Sequence, residues 1–315
     1  MSKSVDLVNF DEMSIFMFVD DLAYQTVPEE RKHYSVVQHV QARKTGTWGL
    51  GFDSQTRITR DNIVAALLEH HWAHRLDFTY VDVGCQYGSS AIVVAGYIRQ
   101  HARGKKVICF EPGVAGELVP HNIKLNGMEK LIVFEHRAVG EHSLPCLMFH
   151  DEGHTENNRM THRRPDSFGF VADGVSIDDY VVQHDINHPL IMKIDTEGAE
   201  PLVFRGMERA RASRPVTAIM EFCPGPMTTL MDPEKFLEWV SEDCDLFDLR
   251  AGEPDGSVGI QHVRRDDIHD LTQNVLNSAS GWTDLLLIPQ QLPGAAELAA
   301  RISGSAPAGT ERRSG

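Results

Sequence analysis

The sequence predicts an α/β protein built on a doubly wound, mostly parallel sheet of seven strands, with helices on both faces. Three observations carry this expectation. Strand-like and helix-like segments alternate through the middle of the chain. Several strand segments, TDLLLIP (283–289) among them, are continuous apolar runs, as strands buried on both faces are. Carboxylates end four of the strands, at Asp82, Glu111, Asp195 and Glu221, where such sheets hold their ligands.

In chain order, residues 1–75 are expected to form an N-terminal extension, partly helical. Within it, DNIVAALLEHHWAHRL (61–76) has helical spacing: Ile63, Leu67 and Leu68 share a face, and Asp61 suits an N-cap. GTWGLGF (46–52) lacks the lysine and the spacing of a phosphate-binding loop and reads as a turn with Trp48 packed on the core, or as part of a substrate gate. The main domain is expected over 76–290. It opens with strand FTYVDVG (78–84), helix SSAIVVAGYIRQHA (89–102) and strand KVICFEP (106–112), which Pro112 stops. GELVPHNIKLNG (116–127) is helical, broken near Pro120 and ended by Asn126-Gly127. LIVFEHRAVG (131–140), PLIMKIDTEG (189–198) and PVTAIMEFCPG (215–225) are the third to fifth strands. Helix PEKFLEWVSED (233–243) precedes the late strands LFDLR (246–250) and TDLLLIP. An insertion over 141–188, polar in its middle, reads either as a lid at the ligand edge or as a disordered surface loop. Residues 291–315 read as a C-terminal tail whose end, GSAPAGTERRSG, has the composition of a disordered segment.

The composition narrows the partners. A hydrophobic fraction of 42% supports a full core. A net charge of −15 repels phosphate backbones and anionic lipid, so neither nucleic acid nor membrane is the expected partner. The short basic stretch THRRP (161–165) reads as an exposed loop. Five cysteines with no CxxC (Cys85, Cys109, Cys146, Cys223 and Cys244) read as free thiols of a reducing compartment. With no secretory signal and no apolar run of membrane length, the protein is expected to be cytoplasmic. A homo-oligomer is compatible with this composition.

The chemistry concentrates in YVDVGCQYGSSAIVVAGYIRQ (80–100), which reads as strand, glycine turn and helix. Gly84 and Gly88 give G-x-x-x-G, not the G-x-G-x-x-G that cradles a pyrophosphate. Asp82 would face the phosphates of a dinucleotide, and like charges oppose binding. S-adenosylmethionine carries no phosphate; it is a sulfonium with an ammonium, which a carboxylate at this strand end suits. Glu111, at the end of the next strand, suits the two ribose hydroxyls, a feature that dinucleotide sites share.

With these residues in place, the chain resembles the FkbM-type family of class I S-adenosylmethionine-dependent methyltransferases. The resemblance runs over roughly residues 78–224, through YVDVGCQYGSSAIVVA, VICFEPGVAGELVPHNIKLNG, FEHRAVGE, VSIDDYV and LIMKIDTEGAEPLVFRGM in that order. KIDTEGAE (193–200) is its most specific piece. The resemblance implies a Rossmann-like fold and an O-methyltransferase acting on a hydroxyl of a small molecule, such as a sugar, a glycoside or a secondary metabolite. It implies a cofactor site of Asp82, Gly84, Gln86, Tyr87, Gly88, Glu111, Pro112, Ala138 and Asp195. Gln86-Tyr87 departs from the small or asparagine-containing pair of the family's turn, and 141–174 departs from its usual loop, so the acceptor does not carry over. The rival readings are a non-catalytic cofactor-binding module and a nicotinamide-dependent oxidoreductase.

Methyl transfer to an alcohol requires that the hydroxyl be aligned and its proton removed. Asp195 and Glu197 are the candidate catalytic residues; two close carboxylates raise one pKa and prepare a base. Glu200 either contacts the substrate or satisfies backbone N–H groups at the helix start. Magnesium held by Asp195 and Glu221 is the alternative activator, although Phe222 stands where a third oxygen ligand would help. The leading reading therefore has no metal. His70 and His74, spaced i, i+4, lack the glutamate of H-E-x-x-H and read as packing residues. His150 and His154 are candidate bases if the insertion folds over the site.

Overall fold

The computed structural model describes residues 4–10, 13–19, 54–101, 104–151, 154–160, 167–252 and 258–303. The GTWGLGF and THRRP stretches and the chain from 304 onward lie outside the described residues, as do the side chains of Asp61, His150 and His154. At the N-terminus β1 (Ser4–Phe10) and β2 (Met13–Val19) pair antiparallel. Helix α1 (Ser54–Ala73) begins well before Asp61, which is therefore internal to the helix and not its expected N-cap. Ile63, Leu67 and Leu68 are buried on one face, as their spacing requires.

The main sheet then builds by alternation. Its first strands are β3 (Thr79–Val83), β4 (Val107–Phe110) and β5 (Ile132–Glu135). They are joined by α2 (Ser89–His101), a 3-10 turn (Val114–Leu118) and α3 (Val119–Leu125). The expected break near Pro120 is the change from the 3-10 turn to α3 at Val119, and Pro120 itself sits in the first turn of α3, where a missing N–H removes no hydrogen bond. Asn126 caps the C-terminus, and Gly127 follows at φ 64°. The expected third strand divides, because β6 (Ala138–Val139) leaves the main sheet to pair with β10 (Gly174–Val175).

The described residues of the 141–188 insertion form regular elements. β7 (Cys146–Asp151), β8 (His154–Arg159) and β9 (Ser167–Ala172) form a separate antiparallel sheet, and α4 (Ile177–Gln183) follows β10. The main chain resumes with β11 (Leu190–Ile194), α5 (Glu200–Arg205), α6 (Glu208–Ser213), β12 (Val216–Phe222) and α7 (Pro224–Met227). It closes with α8 (Pro233–Val240), β13 (Cys244–Gly252), β14 (Val258–Val263), α9 (Ile268–Asn277), β15 (Thr283–Pro289) and α10 (Ala295–Ile302).

The sheet runs β14-β13-β15-β12-β11-β3-β4-β5. Seven of these are the expected strands; β14 adds an eighth at the edge. An edge strand needs only one partner and little apolar surface, so VGIQHV carries a weak signal. The pairs from β5 to β12 are parallel, while β15 runs antiparallel between β12 and β13. Each face buries its own core. Tyr80, Ile191, Ile219 and Leu286 pack with α1, α2 and α10; Val81, Met192, Met220 and Leu285 pack with α4, α5, α8 and α9. The stretch 291–315 thus opens with a helix. The histidines of α1 help to seat it: His70 Nε2 lies 2.8 Å from the Pro293 carbonyl, and the His70 and His74 rings lie 4.2 Å apart. Burial pushes His71 down to about 4, so it is neutral at physiological pH. No helix among the described residues is long and apolar enough to cross a membrane.

Candidate active site

The glycine turn is tied to two strand ends at once. Gly84 has φ 76°, and a Cβ there would meet the Asp195 carbonyl oxygen at 1.9 Å. Only glycine lets the end of β3 come this close to the end of β11. Gln86 also takes a left-handed φ of 52°. The Gly84 and Cys85 N–H groups both donate to the Phe110 carbonyl at 3.0 Å. Glu111, 4% exposed, accepts from the Gln86 N–H at 3.0 Å and from the Gly113 N–H at 2.8 Å, one on each oxygen. It therefore joins the turns after β3 and β4. A carboxylate oxygen can accept more than one hydrogen bond, so a ribose diol is compatible with these two. Tyr87 is buried, with its carbonyl held by Asn122 at 2.9 Å, Gly88 begins the helical turn at φ 82°, and Pro112 is half-buried. Ala138 stands apart. Its N–H donates to the Asp173 carbonyl, and its methyl packs with Met148 and Ala172 against the inserted sheet.

Strand register aligns the acids. Lys193 lies opposite Asp82 on β3 and Ile219 on β12. Asp195, two residues on, falls on the same side of the chain, and its N–H donates to the Val83 carbonyl at 3.0 Å. Glu221, two on from Ile219, faces Asp284 on β15. One face of the carboxyl edge is thus lined with charge from β3 to β15. Lys193 was not anticipated as a site residue. It is 7% exposed; its ammonium is 2.9 Å from Asp195 and 3.6 Å from Asp82, which is fully buried, and it donates to the Gly84 carbonyl at 3.4 Å. The signal was in the sequence: a lysine inside the buried run LIMKI needs anionic partners.

The loop after β11 is organised from within. Glu200, fully buried, accepts from the Thr196 N–H (3.0 Å), the Thr196 hydroxyl (2.8 Å) and the Gly198 N–H (3.3 Å). This is the structural role among its two expected ones. Burial raises its pKa to about 7, against the lowering effect of those bonds. Glu197 sits at φ 56° and Gly198 at φ 95°, and a Cβ on Gly198 would meet Pro226 at 2.6 Å. The loop therefore packs onto the segment that follows β12. There, Glu197, Glu221 and Cys223 bring ligand atoms within 4.8 Å of one another, and the Cys223 thiol donates to Glu221 at 3.3 Å. Burial, then the charges of Asp195 and Glu197, hold the Glu221 carboxyl well above the usual range.

These donors do not suit magnesium. Asp195, one of the two expected ligands, is bound to Lys193, and the third atom near Glu221 is a thiol. Burial pushes that thiol up, so it stays protonated, and magnesium prefers oxygen ligands. A separate cavity of about 510 Å³ lies among β13, β14 and α9. Arg250 stacks 3.8 Å over Trp282 in its wall, and the buried Asp248 accepts from Thr283 at 2.6 Å.

An open parallel sheet with a glycine turn and acidic strand ends where the strand order reverses defines a Rossmann-like α/β protein. The methyltransferase FkbM domain matches residues 82–245, just over half of the chain, and the protein belongs to that family of methyltransferases. No curated protein matches the chain. Among solved structures, it is similar to a ribosomal protein L11 methylase from Lactobacillus delbrueckii subsp. bulgaricus, with 13% identity and a TM-score of 0.32 over 72% of this chain and 77% of that one. It is also similar to an rRNA methylase from Streptococcus thermophilus, with 12% identity and a TM-score of 0.36 over 75% of this chain and 97% of that one.

Proposed function

We propose that this methyltransferase uses S-adenosylmethionine and transfers its methyl group to a hydroxyl of a small molecule of the sugar, glycoside or secondary-metabolite kind. The observation that carries the reading is the acid-lined edge: Asp82 lies beneath a G-x-x-x-G turn, with Asp195, Glu197 and Glu221 at the neighbouring strand ends. Such an edge suits a cationic cofactor and opposes one carrying phosphates. Asp82 would serve the amine side, Glu111 the ribose, and Gln86, Tyr87, Gly88 and Pro112 the walls. Ala138 is kept as a more distant candidate. When bound, the cofactor supplies a methyl already activated on a sulfonium. Asp195, with 27% of its side chain exposed, would orient the acceptor hydroxyl and take its proton as the O–CH₃ bond forms and the S–CH₃ bond breaks, leaving the neutral thioether; Glu197 is the second candidate. The five free cysteines favour a reducing, cytoplasmic setting.

Calorimetry with S-adenosylmethionine, S-adenosylhomocysteine and NAD tests the cofactor. Binding of the first two is expected, and binding of NAD alone would overturn the reading. Isotope-labelled donor with a panel of hydroxylated acceptors tests the reaction. Label transferred to none of them, with donor binding intact, would favour the non-catalytic module.

A further inference from the structure

We propose that Lys193 is the positioning residue of this site: its ammonium clamps Asp82 and Asp195 in fixed, ionised form, one toward the cofactor's cationic end and the other toward the acceptor edge. The inference rests on the methyltransferase reading above and adds a residue to it.

Three contacts meet at one buried nitrogen. Asp195 lies two residues away on the same strand at 2.9 Å, and Asp82 on the adjoining strand at 3.6 Å. The Gly84 carbonyl, at 3.4 Å, belongs to the turn itself. An ammonium withdrawn from water keeps its charge only among such partners. The same edge carries Glu197, Glu200, Glu221 and Asp284, and the other three all act on Glu221. Without the lysine, two more carboxylates would crowd this edge uncompensated, and one would take up a proton. It would then no longer attract a cation or accept a proton from a hydroxyl. The lysine also links the two halves of the site, since moving its nitrogen toward either acid lengthens the contact with the other.

The test compares Lys193→Met, which keeps the stem and removes the charge, with the double variant Lys193→Met/Asp195→Asn, which restores the wild-type net charge and leaves Asp82 as the one carboxylate without its ammonium. Thermal melting is followed near pH 6 and near pH 8. The single variant should lose about 5–10 °C at the higher pH. It should lose less at the lower one: the freed carboxylate has a folded pKa above its unfolded value, so the folded state gains by holding a proton, and that gain fades as pH rises. The double variant should regain part of the loss, because Asp195 no longer adds a stranded charge while Asp82 still lacks the ammonium. Calorimetry of S-adenosylhomocysteine in phosphate and in Tris then counts protons exchanged on binding. Lys193→Met should differ from wild type by a measurable fraction of a proton, and Lys193→Arg should restore the wild-type count. Equal losses at the two pH values, no recovery in the double variant, or an unchanged proton count would each overturn the clamp. If Lys193→Met does not fold, the double variant decides: it folds if the stranded charge was the fault and fails if the lysine only fills space. Wild-type protein that bound neither the donor nor its product would overturn the cofactor reading instead, leaving the melting comparison to judge the clamp.

Discussion

At the scale of single residues, three carboxylates have separable duties. Glu111 holds two backbone N–H groups that burial would otherwise leave without acceptors. Glu111→Ala should destabilise the fold by about 1–3 kcal/mol in a denaturant titration and weaken cofactor affinity by about 1.5–3 kcal/mol by calorimetry. Unchanged affinity would take the ribose role from it. Glu200 has a folded pKa near 7, above its usual 4.5. Its folded state therefore binds the proton more tightly, and stability should fall as pH rises from about 4.5 to 7. Glu200→Gln should remove up to about 3 kcal/mol of that fall, read as a flatter stability–pH curve than that of the wild type. For Asp195, Asp195→Asn should lower kcat by about 10²–10⁴-fold with donor affinity changed less than about tenfold, measured on a verified acceptor. Asp82, Glu111 and Asp195 could be picked out from their places at strand ends. Lys193 was legible only as a lysine in a buried run that needs anionic partners; which acids it meets depends on pairing register across β3 and β11, which shows only in the folded chain.

At the scale of elements, the sites of closest approach are glycine turns. Gly84→Ala would drive a methyl into the backbone of Asp195 and force an unfavourable φ. The expected outcome is loss of cofactor binding or of the folded state, seen together by calorimetry and circular dichroism; a well-folded variant that still binds would contradict this close packing. The strands were legible because burial on both faces leaves continuous apolar runs, as in TDLLLIP, whose bounds as β15 coincide with the run. What escaped was structure with weaker apolar demands. The edge strand β14 and helix α10 each expose much of their surface, and in the inserted sheet Leu147 and Val171 are exposed. Helix α10 nonetheless buries Leu298 against the first core cluster, and Leu298→Ala should cost about 2–5 kcal/mol in a denaturant melt.

At the scale of the whole molecule, strand order decides where chemistry can sit. The switch between β4 and β11 on either side of β3 opens the crevice over Asp82, and the neighbouring strand ends bring Lys193, Asp195 and Glu221 beside it. That order also bears on how the chain comes to be folded at all. β15, close to the end of the described chain, lies between β12 and β13, which both precede it. A ribosome delivers β12 and β13 long before the strand that must separate them. Until β15 emerges, β12 presents a bare apolar edge and β13, with β14, has no sheet to join. Newly made protein therefore passes through a stage with an open, sticky edge, and the last step of folding is an insertion, not an addition. Chains stalled before Thr283 should bind chaperones and aggregate, whereas chains released just beyond Pro289 should close the sheet.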